Sequence, residues 1–431
     1  MQPNVFTPDY KSEPYWWEKT PRPILEPPAL PARIDVAIVG SGYTGLHAAL
    51  QTARGGRSTL VIDSEDAGWG CSTRNGGQIS TSIKPGLKEL SRRFGPDKAR
   101  AVLREGFRSL AWVGSFVKDE GIDCDFKVVG RFHAAHNASA FEGLVRQLRD
   151  EEPEFATGAR LVLRDEQLSE LGTERYHGGL VYPQQASIDP ALYHQGLLDR
   201  VMSAGAMVAT QTPVTAIERR GQIFELSTPR GKVTARDVVI ATNGYTGTAT
   251  PWHRRRVIPI GSYMIATEPL APELMARVMP TERIVSDTRK VVYYYRPSPD
   301  HRRILFGGRV SLGETNPRIS GPLLRRELVR LFPELSEVRI SHSWMGFVAY
   351  TFDTLAHAGI RDGLHYAMGY CGSGVGMASY LGMRAGQRVL GKPEGQTAFE
   401  PVPFQTRPLY AGNPWFLAPS IAYYRWRDGR D

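Results

Sequence analysis

Apolar positions in this chain change period several times, and the changes mark out its elements. From 33 to 39 the run Ile34, Val36, Ala37, Ile38, Val39 is almost unbroken and stops at Gly40, which predicts a buried strand turning directly into a helix. Residues 59–62 and 236–241 read as further buried strands. Between 97 and 120, Val102, Leu103, Phe107, Leu110 and Val117 recur at helical spacing, a core stripe that is read as the start of an inserted domain. A helix through Leu192, Leu197, Leu198 and Val201 ends at Gly205 and leads into a strand at 207–209. From 257 to about 340 the pattern becomes strands rich in β-branched and aromatic residues, at 263–265, 291–295 and 304–306. The chain is therefore expected to be α/β, with a second sheet of different character.

The first strand feeds Gly40-Ser41-Gly42-Tyr43-Thr44-Gly45, a G-x-G-x-x-G turn opening a helix, and Asp63 closes the next strand about twenty residues on. Each part has a physical task. Gly40 makes the tight turn, Gly42 lets backbone approach a pyrophosphate, Gly45 permits close packing of strand and helix, and the helix N-terminus favours anions. Asp63 has the position of an acid that accepts hydrogen bonds from a ribose. A second glycine-rich stretch, 68–78, carries small hydroxyls and Arg74, and suits an extended cofactor. Two more segments, 236–244 and 369–376, link strands to small residues or a helix. Four such segments, with no second G-x-G-x-x-G for a nicotinamide dinucleotide, point to FAD.

Taken together, Gly42-Tyr43-Thr44-Gly45-Leu46, residues 72–78, Tyr294-Tyr295-Arg296 before Leu305-Phe306-Gly307-Gly308, Trp344-Met345-Gly346, and 369–375 resemble the D-amino-acid-oxidase superfamily of flavoproteins, and within it the gamma-glutamylputrescine oxidases. Ala422-Tyr423-Tyr424-Arg425 is similar as well. Two positions differ: Thr73 stands where that family usually has glycine, and Cys371-Gly372-Ser373-Gly374 replaces serine-glycine-histidine-glycine. The resemblance implies a Rossmann-like FAD-binding domain of the glutathione-reductase type, interleaved with an α+β substrate domain on a mostly antiparallel sheet. The expected division is 1–30 as an N-terminal extension, 31–95, 175–250 and 345–410 as the FAD-binding domain, 96–174 and 251–344 as the substrate domain, and 411–431 as a tail. Expected FAD contacts come from Gly40, Gly42, Tyr43, Thr44 and Gly45, from Asp63 and Ser64, and from Gly70, Ser72, Thr73, Arg74, Asn75, Gly76, Gly77 and Gln78. Val214, Ala241, Thr242, Gly346, Gly372, Ser373, Gly374, Val375 and Gly376 complete the set.

The resemblance also implies a reaction. A hydride passes from the carbon bearing an amine to the flavin, and water hydrolyses the resulting imine to a carbonyl compound and ammonia or an amine. The helix starting near Gly374 would stabilise the charge of reduced flavin. The implied substrate is gamma-glutamylputrescine or a related polyamine derivative, with O2 or an electron carrier as acceptor. An amino acid or cyclic imino acid such as pipecolate is the alternative, and a tRNA-modifying flavoprotein a third reading. A neutral amine requires a desolvated aromatic pocket. Tyr293 and Tyr295, on one face of a predicted strand, and Trp344 are its expected walls, with Arg296 and Arg309 as candidate anchors for a carboxylate. No cysteine lies in 344–353, the stretch where sarcosine-oxidase relatives attach their flavin, so the FAD is expected to be non-covalent.

Composition adds exclusions. At 431 residues, 41% hydrophobic and 23% charged, the chain can bury a large core. Three widely spaced cysteines, Cys71, Cys124 and Cys371, suggest neither a disulfide framework nor a thiolate metal site, and the nearby pair His133 and His136 lacks a third ligand. No metal is expected. The net charge of +9 is spread in doublets and one triplet, Arg254-Arg255-Arg256, among acids; it reads as a solvated face, and no nucleic-acid partner is expected. There is no apolar run of about eighteen residues and no signal-like N-terminus, so no membrane span and a cytoplasmic location are expected. Disorder is expected, if anywhere, in the proline-rich entry before Pro31 and the last few residues.

Overall fold

The computed structural model describes residues 5–26, 28–81, 83–311 and 313–428; the outer ends of the expected extension and tail lie outside them. Two large sheets organise these residues. In the first, five strands run parallel in the order Met207–Ala209, Thr59–Ile62, Arg33–Val39, Gly231–Ile240, Leu364–Met368. Antiparallel strands flank Gly231–Ile240 through Ile223–Thr228, and Leu364–Met368 through His357–Arg361. The central strands are apolar on both faces because helices cover one side and a second cluster the other.

The second sheet has nine strands among the described residues, in the order Phe6–Lys11, Ile340–Tyr350, Ile258–Thr267, Ile304–Gly308, Tyr294–Pro297, Ile284–Asp287, Arg131–Ala134, Gly179–Tyr182, Arg160–Val162. It is mostly antiparallel, with parallel pairings at Phe6–Lys11 on Ile340–Tyr350 and at Ile284–Asp287 on Arg131–Ala134. One face packs Tyr263, Ile265, Tyr295 and Phe306 under Leu324, Leu328 and Leu331 of helix Pro317–Leu331. The opposite face gathers Met264, Ala266, Leu305 and Trp344 with Trp16 and the partly buried Tyr294.

The structure divides the chain differently from the sequence-based boundaries at several points. Helix Pro96–Asp119 does not open the substrate unit: Val102, Val113, Phe116 and Val117 share one core with Val36, Ile38 and Leu46, so its stripe serves the parallel sheet. Strand Gly179–Tyr182 and all of Ile340–Tyr350 belong to the nine-stranded sheet, although 179–182 and 345–350 were expected on the FAD side. The N-terminal segment is also built in. Phe6–Lys11 pairs as an edge strand and Trp16 is fully buried, because two adjacent tryptophans supply more apolar area than the prolines around them suggest.

Helices Tyr43–Arg54 and Gly374–Val389 cross at backbone distance. A Cβ on Gly382 would lie 2.4 Å from the Thr44 carbonyl oxygen, and one on Gly386 2.7 Å from that of Ala48. These glycines bring the two helices of the nucleotide half together. G382A is expected to destabilise the protein by about 1–3 kcal/mol through overpacking; thermal unfolding of the purified variant measures it, and an unchanged melting temperature would show that the crossing can widen at no cost.

Candidate functional site

The segments read as cofactor-binding emerge at the C-terminal ends of the parallel strands, or on the loop that lies over them, except Gly346, which lies within strand Ile340–Tyr350 of the mixed sheet. Gly40 follows Val39, Asp63 and Ser64 follow Ile62, Ala241 and Thr242 follow Ile240, and Gly369 follows Met368. Val214 lies in the loop after Met207–Ala209, against the core beneath the sheet. This rim is where open α/β sheets bind ligands. Gly40 has φ +109°, and a Cβ on Gly45 would sit 1.8 Å from the Gly40 carbonyl oxygen, so both glycines are required by shape. Asp63 leans onto the turn: one carboxylate oxygen accepts the Ser41 amide and hydroxyl, both at 2.6 Å. Burial pushes its pKa up.

His194 was not singled out in the sequence, yet it locks this turn. Its Nε2–H donates to the Ser41 carbonyl at 2.8 Å, and its ring fills the space that a side chain on Gly68 would need. Nearby, His47 pairs with the Tyr193 hydroxyl at 2.8 Å. Thr44 and Tyr370 hydroxyls pair at 2.6 Å, tying the first helix to the end of the last strand. The helix Gly374–Val389 begins at Ser373 and Gly374; Val375 and Gly376 already pack inward, whereas a Cβ on Gly374 would meet nothing within 4 Å. In front of it lies a shallow cleft bordered by Lys84, Leu355, Tyr370, Cys371, Ser373 and Met377. Gly372, with φ +100°, turns the chain into it, and Lys84 reaches the Tyr350 hydroxyl at 2.7 Å.

Residues 68–78 lie between the two sheets. Ser72 Oγ accepts the Tyr43 amide at 3.0 Å, so this loop touches the first helix directly. Three consecutive residues each take one indole N–H: Trp17 donates to Thr73 Oγ1 (2.9 Å), Trp344 to the Arg74 carbonyl (2.8 Å) and Trp16 to the Asn75 carbonyl (2.9 Å). Arg74 donates to the carbonyls of Trp69 and Met345, and its Cβ borders Gly346. Asn75 bonds back to Cys71 and Ser72, Gly70 packs on the Tyr245 ring, and Gln78 donates toward Val285 and Tyr295 carbonyls.

The expected pocket wall is corrected by strand parity. Tyr293 and Tyr295 do share a face, but it is the one under helix Pro317–Leu331: Tyr295 stacks near Phe306 and Phe332 and donates to Tyr176, and Tyr293 packs on Phe306 and Arg289. The face turned to the loop carries Tyr294 instead. Register makes this plain, because Trp344 pairs with Met264, Met264 with Gly307 and Gly307 with Tyr294, one row across four strands. Tyr294 borders Gly76, and its hydroxyl pairs with Ser262 at 2.8 Å. Trp344 lies on this face but is covered by the loop it holds.

Neither arginine stands ready for a substrate carboxylate. Arg296 is buried and donates to the Gly77 and Ile188 carbonyls at 3.2 and 3.0 Å, with Asp125 at 4.0 Å; desolvation pushes its pKa down to about 10. Arg309 pairs with Glu314 at 2.9 Å and with the Gly261 carbonyl, beside the Tyr263 hydroxyl that also bonds Glu314. Among the described residues no group of three or more His, Cys, Asp or Glu side chains is placed to hold a metal, and no helix is long and apolar enough to cross a membrane.

A glycine turn at a helix N-terminus, an acid at the next strand end and a second helix aimed at the same rim fit a dinucleotide, and the facing mixed sheet marks a flavin-dependent oxidoreductase. The family described as DAO, FAD dependent oxidoreductase, matches residues 35–388, and the chain belongs to it. It is 34% identical over 390 residues to a probable oxidoreductase OrdL of Rhizobium meliloti, covering 88% of each chain. It is 30% identical over 399 residues to the gamma-glutamylputrescine oxidoreductase of Escherichia coli, covering 91% of this chain and 92% of that one. Its fold is similar to glycine oxidase from Geobacillus kaustophilus, with TM-score 0.72, 20% identity and coverage of 88% and 99%.

R296M should cost about 1–3 kcal/mol of stability and release flavin, because the Ile188 carbonyl loses its Arg296 donor and the Gly77 carbonyl is left with the Ile188 amide alone. Retained stability and flavin with a raised KM would restore Arg296 as a substrate anchor. Burial holds His47 and His194 neutral, with pKa values pushed down to about 3 and 4, and His253 likewise to about 4. The unfolded chain takes up these protons below about pH 6.5. The histidines' contribution to stability is therefore full above that pH and falls as the pH drops from it toward 4, opposed by Asp63, Asp189 and Asp287, whose carboxyls burial pushes up. NMR titration of these imidazoles checks it: folded-state midpoints near the free value would mean that the folded protein accepts the protons.

Proposed function

We propose that this chain uses FAD to oxidise the carbon–nitrogen bond of an amine, gamma-glutamylputrescine or a related polyamine derivative, with O2 as the acceptor. The observation that carries the reading is the 30% identity, over about nine-tenths of both chains, to a protein named gamma-glutamylputrescine oxidoreductase. The site's chemistry supports an amine in preference to an amino-acid carboxylate: Arg296 and Arg309 are both engaged by the protein itself.

When bound, FAD supplies a two-electron acceptor for the hydride leaving the carbon that bears nitrogen. The imine is hydrolysed to an aldehyde and ammonia, and O2 takes the two electrons with two protons to become hydrogen peroxide. The residues around it bind and orient. Gly40, Gly42 and the start of helix Tyr43–Arg54 would hold the pyrophosphate, Asp63 the ribose, and the amides at Gly374, Val375 and Gly376 the electron-rich edge of the flavin. Beside the loop-covered Trp344, the row Met264, Gly307, Tyr294 would form an apolar wall with one hydroxyl at its end. Such a wall favours the neutral amine, whose formation at pH 7 from an ammonium of pKa near 10.4 costs roughly 4 to 5 kcal/mol. Burial pushes the Cys71 thiol up to about 11 and the Cys371 thiol above its usual range, so neither offers a ready thiolate, in keeping with non-covalent FAD.

Anaerobic mixing with a panel of amines and amino acids tests the reading. Gamma-glutamylputrescine is expected to bleach the flavin fastest, at a rate rising toward alkaline pH. Bleaching by amino acids alone, or a pH-independent rate, would overturn it.

A further inference from the structure

Thr73 departs from the glycine usual at its position, and the structure supplies its counterpart in the N-terminal segment. The Thr73 hydroxyl accepts the Trp17 indole N–H at 2.9 Å and donates to the Gly68 carbonyl at 2.6 Å. Glycine could do neither. The Trp17 ring also lies under two guanidinium groups, Arg22 at 4.4 Å and Arg74 at 4.7 Å, and Arg74 lies over Trp69 as well, at 4.7 Å. The segment bearing Trp17 is fixed in turn, since Phe6–Lys11 pairs with Ile340–Tyr350, the strand that carries Trp344. Next to Thr73, Ser72 takes the amide of Tyr43 at the phosphate turn. A shift at 73 therefore reaches the first helix through a single peptide unit.

We propose that Trp17 and Thr73 are positioning residues: the N-terminal segment clamps the 72–78 loop against the phosphate turn and so sets how tightly FAD is held and how its flavin is oriented. This rests on the reading that the loop faces FAD. The Trp17–Thr73 bond is lost whole with either partner, so once Thr73 is removed, losing the Trp17 donor as well should cost nothing further.

The test uses the full chain as W17F, T73A, T73S and the double variant W17F/T73A. Three quantities are measured: the FAD dissociation constant of the apoprotein, the visible circular dichroism of the bound flavin, and the melting temperature without FAD. W17F is expected to weaken FAD about tenfold, the order expected for one lost hydrogen bond, and T73A at least as much, since the Gly68 carbonyl loses its donor as well. The double variant should be no weaker than T73A alone, T73S should stay close to wild type, and both single variants should change the flavin dichroism in the same sense. Additive losses in W17F and T73A would overturn the clamp. Coupling seen only in the melting temperature, with FAD affinity and dichroism unchanged, would leave the contact intact but overturn its bearing on FAD. Should W17F fail to fold, the contrast of T73A with T73S decides alone: equal affinities would overturn the proposal.

Discussion

The structure depends on satisfying the backbone of 68–78, a half-buried loop between two sheets in which Gly68, Thr73, Gly76 and Gly77 are buried. Buried carbonyls must be paired or they cost free energy, and here side chains from both halves do the pairing. Trp344 and Arg296 reach in from the mixed sheet, Trp16 and Trp17 from the N-terminal segment, and Ser72 reaches out to the first helix. The loop is thus the joint through which the phosphate turn and the aromatic row are held at a fixed distance.

The same need for paired donors explains why conspicuous charges are not available to a ligand. Arg296, Arg74 and Arg309 each spend their guanidinium N–H groups on backbone carbonyls or a carboxylate of the protein. What remains along the loop-facing row is apolar or hydroxylic: Met264, Tyr294 and Ser262. A site of this character discriminates by desolvation and shape and offers an anion little direct pairing, which suits a reaction that needs its nitrogen uncharged.

Much of the nucleotide half was legible because its signals are local. The turn 40–45, the acid at 63 and the glycine-led helix at 374 each follow from steric or dipole requirements within a few residues of the motif. The aromatic strand at 294–297 was legible as a strand, yet the choice between its two faces was not. Alternation says that 293 and 295 point one way and 294 the other, but only the register against Met264 and Trp344 says which way is inward.

The sequence by itself determined that this chain builds a dinucleotide turn, a parallel sheet behind it and a second sheet rich in aromatic residues, because those features are set by short-range spacing and backbone sterics. Tertiary structure alone decided that helix Pro96–Asp119 serves the nucleotide half, that Tyr294 faces the loop, that Arg296 is a tie, and that Trp16 and Trp17 reach a loop 56 to 59 residues away. Those outcomes depend on which distant donor meets which buried acceptor. No local period encodes such a pairing, since its free energy exists only once the two sheets have closed over the loop.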